Sequence, residues 1–111
     1  MSLSTHILDT TIGRPAVNVA LTLSQLDGET WRSIGIGITD ADGRCKTLLG
    51  DLTLEATTYE LTFMTEPYFD AQGVRSLYPY VKIVFTVTDP AEHYHIPLLL
   101  TANGYTTYRG S

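Results

Sequence analysis

Apolar and polar residues alternate along most of this 111-residue chain. Val17, Val19, Leu21 and Leu23 alternate with Asn18, Ala20, Thr22 and Ser24. Ile34, Ile36 and Ile38 alternate with glycines, and Val81, Ile83, Phe85 and Val87 with Lys82, Val84, Thr86 and Thr88. Successive side chains of a strand point to opposite faces, so each set predicts a strand with one apolar face. Tyr59 to Met64, Tyr94 to Leu100 and Tyr105 to Tyr108 read as strands too. Turn residues separate them. Gly13-Arg14-Pro15 follows the first strand, and Asp27-Gly28 predicts a hairpin between Leu23–Leu26 and Thr30–Arg32. Asp42-Gly43 closes the third strand, and Asp89-Pro90 closes the strand that starts at Tyr80. Short strands with regular turns predict an antiparallel sandwich. Glu66 to Gly73 breaks the alternation. Pro67 suits the first turn of a helix and Gly73 its stop, which predicts about two helical turns anchored by Tyr68 and Phe69.

Composition narrows the class. The length fits one domain over residues 1–111 with a modest core, so oligomerisation is an expected further source of buried surface. Twelve acidic residues against seven basic give a net charge of −5 at pH 7. Phosphate binding needs clustered Lys and Arg, so no nucleic-acid partner is expected. Cys45 is the single cysteine and cannot form a disulfide within the chain. The start has no basic stretch followed by a long apolar one, and the longest apolar run, Ile96 to Leu100, is too short to cross a bilayer. The expectation is a cytoplasmic protein with no membrane partner.

Candidate chemistry concentrates in few places. The histidines are His6, His93 and His95. Imidazole titrates nearest neutrality, which suits proton transfer. His93 and His95 are two apart on a strand and share a face, as half of a metal pair, as a base with a neighbour, or as plain surface histidines. A metal site wants three or four ligands, and no spacing forces His6 or Cys45 to join them, so no metal is expected. Asp40-Ala41-Asp42-Gly43-Arg44 superficially suggests a calcium loop. Its glycine comes too early and position 51 is Asp, so a turn between strands fits better. Arg44 is either a solvated charge or a group that holds an oxyanion. Cys45 is expected to be a packed thiol at the start of a strand. Tyr108-Arg109-Gly110-Ser111 is either a frayed end or, held in a hairpin through Ala102-Asn103-Gly104, a neighbour of the histidines.

Taken in order, these motifs resemble the 5-hydroxyisourate hydrolases of the transthyretin-related family. The resemblance runs from Ser4 to Ser111. It is carried by Thr5-His6-Ile7-Leu8-Asp9, Gly13-Arg14-Pro15-Ala16, Thr39 to Cys45, Tyr78-Pro79, His93-Tyr94-His95-Ile96-Pro97-Leu98-Leu99-Leu100 and the closing Tyr108-Arg109-Gly110-Ser111. It implies an all-β, transthyretin-like sandwich of two four-stranded sheets with one short helix. It implies a homotetramer, a dimer of dimers, with active sites in the channel between dimers. It implies catalysis by His6, Arg44 and His95, with Tyr108, Arg109, Gly110 and Ser111 binding substrate and His93 at the rim. The implied reaction hydrolyses 5-hydroxyisourate to 2-oxo-4-hydroxy-4-carboxy-5-ureidoimidazoline in urate degradation, without metal or cofactor. Hormone-carrying transthyretins lack the two histidines, the arginine and the tetrapeptide, so a carrier without catalysis is the alternative. A plain immunoglobulin-like domain would show a Cys-Trp-Cys spacing, which one cysteine cannot provide.

Overall fold

The computed structural model describes residues 3–48, 50 and 52–111. Among these residues, strands form two four-stranded sheets. The first has the order β2 (Arg14–Pro15), β1 (Leu3–Asp9), β7 (Tyr94–Thr101), β8 (Gly104–Thr107). The second has the order β4 (Thr30–Ile38), β3 (Ala20–Asp27), β5 (Thr58–Phe63), β6 (Val81–Thr86). One helix, α1 (Thr65–Asp70), follows β5. Strands pair antiparallel throughout, except that β1 runs parallel to β7. Among the described residues no helix is long and apolar enough to cross a membrane.

The core lies between the sheets and follows from the alternation. Leu3 and Ile7 point inward from β1, as do Ile96, Leu98 and Leu100 from β7. Leu21, Leu23, Tyr59, Leu61, Phe63, Val81 and Ile83 meet them from the second sheet. Burying one such side chain is worth about 1.5–3 kcal/mol. The inward polar groups of β1 have partners: Thr5 donates to the Ile96 carbonyl at 2.7 Å, and Asp9 accepts from the Tyr68 hydroxyl at 2.7 Å and the Thr11 N–H at 3.1 Å. The Asp9–Tyr68 bond ties α1 to the end of β1. Burial, then this carboxylate, pushes the Tyr68 phenol up to about 12.

Several expectations shift in detail. The strand expected from Val17 begins at Ala20, because Asn18 takes a φ of 63° and breaks the extended path. The helix starts one residue before Glu66 and ends at Asp70, with Gly73 closing the following turn at a φ of 69°. The Tyr80 strand spans Val81–Thr86, leaving Val87 just outside it. No strand starts at Cys45; Cys45 and Leu48 are buried in a bent segment instead.

That segment decides the orientation of β4. A Cβ at Gly35 would run into the Leu48 carbonyl, and one at Gly37 into the Cys45 sulfur. The glycine face therefore points inward. Ile36 and Ile38 share the outer face and stay exposed, at 72% and 56%. Their alternation is real, but its apolar side is not the core side.

Candidate active site

The parallel ladder of β1 and β7 sets the frame. It pairs Ser4 with His95 and His6 with Pro97. Residues 3, 5, 7 and 9 of β1 face the core, so Ser4 and His6 lie on the outer face. Tyr94 and Ile96 of β7 are buried, which turns His95 outward beside them. Adjacent strands are about 4.8 Å apart, so His6 and His95 are diagonal neighbours on one surface.

Arg44 reaches this surface on a tight turn. The Asp40 carboxylate accepts the N–H groups of Asp42 at 2.9 Å and Arg44 at 3.1 Å. The Asp40 N–H donates to the Arg44 carbonyl at 2.8 Å, and the Gly43 N–H to the Asp40 carbonyl at 2.9 Å. The Arg44 N–H holds the Asp40 carboxyl below its ordinary value; the Asp42 N–H and the charges of Lys46 and Arg44 act the same way, against burial. The turn is then stitched to β1: the Ile7 N–H donates to the Gly43 carbonyl at 2.8 Å, and Arg44 bridges to His6. Gly43 has a φ of 74°, and a Cβ there would collide with the Ile7 carbonyl. The segment that resembles a calcium loop is thus a mount for Arg44, close beside His6.

The tail closes the other side. β8 pairs with β7, and the Thr107 hydroxyl donates to the Pro97 carbonyl at 2.8 Å. The Gly110 N–H donates to the His95 carbonyl at 2.8 Å, extending the pairing past β8. A Cβ on Gly110 would run into the His95 ring. Glycine lets the tail lie directly against the imidazole. Arg109 turns elsewhere. Its guanidinium sits 4.5 Å from the centre of the Tyr94 ring and donates to Glu92 at 3.4 Å and the His93 carbonyl at 3.3 Å. Tyr108 and Ser111 are exposed.

Electrostatics mark His95. Partial burial, then the electrostatic influence of Arg44, His6 and His93, lowers its pKa, while a hydrogen bond at the Ser4 backbone pulls the other way. The imidazole therefore stays neutral at pH values where an ordinary histidine begins to protonate. A neutral ring in a partly buried, cation-rich site is suited to accept a proton.

The surface thus brings together His6, Arg44, His95 and Gly110. Cys45 points away, buried against Gly37. Among the described residues no three His, Cys, Asp or Glu side chains converge as a metal site. Two further residues emerge only here. Asp40 builds the Arg44 turn. The Ser4 hydroxyl lies 2.8 Å from His95 Nδ1 and 2.9 Å from His93 Nε2. Ser4 is two residues before His6, so period two alone puts it on the same face.

Comparison with known proteins gives the family and the fold. Residues 3–110 match the HIUase/Transthyretin family model. The chain is 45% identical to the 5-hydroxyisourate hydrolase of Mus musculus, over 98% of this chain and 94% of that one. It superimposes on a Klebsiella pneumoniae 5-hydroxyisourate hydrolase with a TM-score of 0.83 and 35% identity, covering 98% of this chain and 92% of that one. Sea bream transthyretin in complex with thyroxine superimposes with a TM-score of 0.92 and 34% identity, covering 99% and 95%. The fold is the all-β transthyretin-like sandwich, and the chain belongs to the HIUase/Transthyretin family.

Proposed function

We propose that, as a member of this family, the chain hydrolyses 5-hydroxyisourate to 2-oxo-4-hydroxy-4-carboxy-5-ureidoimidazoline, a step of urate degradation. One observation carries the reading: His6, Arg44 and His95, far apart in sequence, meet on one sheet surface under the tail. Ring opening needs a proton taken from water, a developing oxyanion stabilised, and a proton given to the leaving nitrogen. His95, held neutral, takes the proton from water. Arg44 binds the carbonyl oxygen as it becomes negative. His6, bridged to Arg44 and diagonal to His95, orients the substrate or supplies the proton for the leaving group. These side chains supply acid, base and oxyanion stabiliser themselves, so the proposal includes no metal or cofactor. General acid–base help is worth about 10²–10⁴-fold and an oxyanion donor about 10²–10³-fold.

The tail is proposed as a wall of the site. Gly110 packs on His95, and Ser111 follows it with a hydroxyl proposed to meet substrate. Arg109 pins the segment through Tyr94 and Glu92 rather than reaching the histidines, while Tyr108 lines a cavity with Tyr94, Ile96 and β6 on the far side. The working form is proposed to be a homotetramer, a dimer of dimers, whose channel encloses the exposed outer face of the first sheet.

A carrier function is the second reading, favoured by the close superposition on thyroxine-bound transthyretin. Backbone likeness extends to both branches of the family, so side chains must separate them. Carriage of a hormone needs no proton transfer, so two histidines and an arginine gathered on one face favour the hydrolase. The test is direct. Fresh 5-hydroxyisourate is generated from urate with urate oxidase and its ultraviolet signal followed with and without this protein. Accelerated decay that disappears in His95→Ala is expected. No acceleration by folded protein overturns the hydrolase and leaves the carrier.

A further inference from the structure

Ser4 stands opposite His95 in the β1–β7 ladder, with its hydroxyl between His95 Nδ1 at 2.8 Å and His93 Nε2 at 2.9 Å. A serine hydroxyl has one proton to give and lone pairs to receive with. Held between two ring nitrogens, it donates to one and accepts from the other. The tautomers of the two histidines are therefore tied. When Ser4 donates to His93 Nε2, His95 carries its proton on Nδ1 and presents a lone pair on Nε2. When Ser4 donates to His95 Nδ1, both histidines carry a proton on Nε2.

We propose that His93, Ser4 and His95 form a proton relay that turns His95 from base to acid within one turnover, a proposal that rests on His95 taking the proton from water. As water attacks the carbonyl carbon with an oxygen electron pair, one of its O–H bonds breaks and that proton bonds to His95 Nε2. The His95 Nδ1–H bond breaks and its proton passes to Ser4 Oγ, and the Ser4 proton passes to His93 Nε2. One proton has left water and one has arrived at His93, which becomes the imidazolium. His95 stays neutral, now with its proton on Nε2. When the ring C–N bond breaks, that proton goes to the leaving nitrogen. In the same step Ser4 returns its proton to His95 Nδ1 and takes one back from His93 Nε2, so both rings end neutral.

The placement of charge is what the relay achieves. His95 is partly buried and faces Arg44, His6 and His93, so a cation on its ring is opposed. His93 is exposed at the rim, next to Glu92 in sequence, and its carbonyl accepts from Arg109. Moving the charge one hydroxyl outward keeps it in water and away from Arg44. Ser4 acts through His95 and is a positioning residue, not one that touches substrate.

The test compares wild type, Ser4→Ala and Ser4→Thr in steady-state turnover across pH, alongside ¹⁵N spectra of the His93 and His95 rings. In Ser4→Ala, kcat is expected to fall by about tenfold to a hundredfold, less than the full worth of a general base. KM should stay within about twofold and the pH profile should shift, since the base titrates without its partner. Ser4→Thr keeps a hydroxyl and should recover most of kcat. In the spectra, His93 and His95 should titrate as a coupled pair in wild type and independently in Ser4→Ala. Wild-type kcat and pH profile in folded Ser4→Ala overturn the relay. So does a folded Ser4→Thr as slow as Ser4→Ala, which would mean that only packing was lost. If wild type itself does not turn over the substrate, the hydrolase reading has failed. The ¹⁵N titrations then still decide the Ser4 bridge, and uncoupled rings in wild type overturn it.

Discussion

The outer faces of the two sheets are built by the same alternation and carry opposite content. On the first sheet the outward positions of β1 and β7 hold Ser4, His6 and His95, with His93 just ahead of β7 and Arg44 and Gly110 bridged on from either side. On the second, one row across the ladders reads Ile36, Thr22, Thr62, Lys82, and a neighbouring row reads Ser24, Glu60, Val84. Its one described ion pair, Lys82 with Glu60 at 3.7 Å, is half solvated and contributes little. Inward, both sheets supply the same kind of aliphatic and aromatic side chains. The contrast teaches that the core demands one face of each strand and leaves the other free. One free face gathers histidines and an arginine around the Ser4 hydroxyl, and the other carries mostly threonine, serine and aliphatic side chains with one ion pair.

Removing Tyr108–Ser111 should have the largest effect on that contrast. Turnover is expected to vanish while circular dichroism keeps its strand signal, because β8 ends at Thr107. A truncated protein with normal turnover would reduce the first face to a bare histidine pair. Next come His95→Ala and Arg44→Ala, each expected to cost at least about a hundredfold in kcat/KM. Ile36→Thr, exposed on the opposite face, should leave kcat/KM unchanged. Equal losses at both faces would erase the distinction.

Gly110→Ala should follow, since its methyl must displace either the tail or the His95 ring. A loss of about tenfold to a hundredfold in kcat, with the melting temperature nearly unchanged, is expected for a misplaced reacting group. The smallest effect is the position of the acid limb. Burial, then Arg44, His6 and His93, keep His95 below the ordinary 6.5, so kcat/KM should hold to a lower pH than an ordinary histidine allows. The stability sign follows from linkage. The unfolded chain takes up this proton at higher pH than the folded one, so stability falls as pH drops from about 6.5 to the depressed folded value, and this contribution levels off below it. An NMR titration of His95 at or above 6.5 would contradict both.

Much of this was legible in the chain. Period two located most of the strands, and Asp27-Gly28 the first hairpin, because alternation and turn geometry are local properties. Arg14-Pro15, read as a turn, instead pairs with β1 as β2, and no strand starts at Cys45. The same rule put His93 and His95 on one face, and the family motifs named His6, Arg44 and the tail. Other features were illegible for a definite reason. Alternation says which residues share a face, not which face is inside. Ile36 and Ile38 point to water because Gly35 and Gly37 leave room for Leu48 and Cys45, a contact no local pattern announces. Arg109 stands in the tail motif, yet its charge settles over Tyr94 and against Glu92, where a ring face and a carboxylate happen to lie.

The sequence by itself determined the strands, the turns that join them and the residue types available for proton transfer. Only the tertiary structure decided that the first strand pairs in parallel with the seventh, in the register that sets Ser4 against His95 and His6 against Pro97. That pairing joins distant parts of the chain. Its loop-closure cost is offset by burying both inner faces at once, so its register answers to the packed core and not to any neighbouring residue.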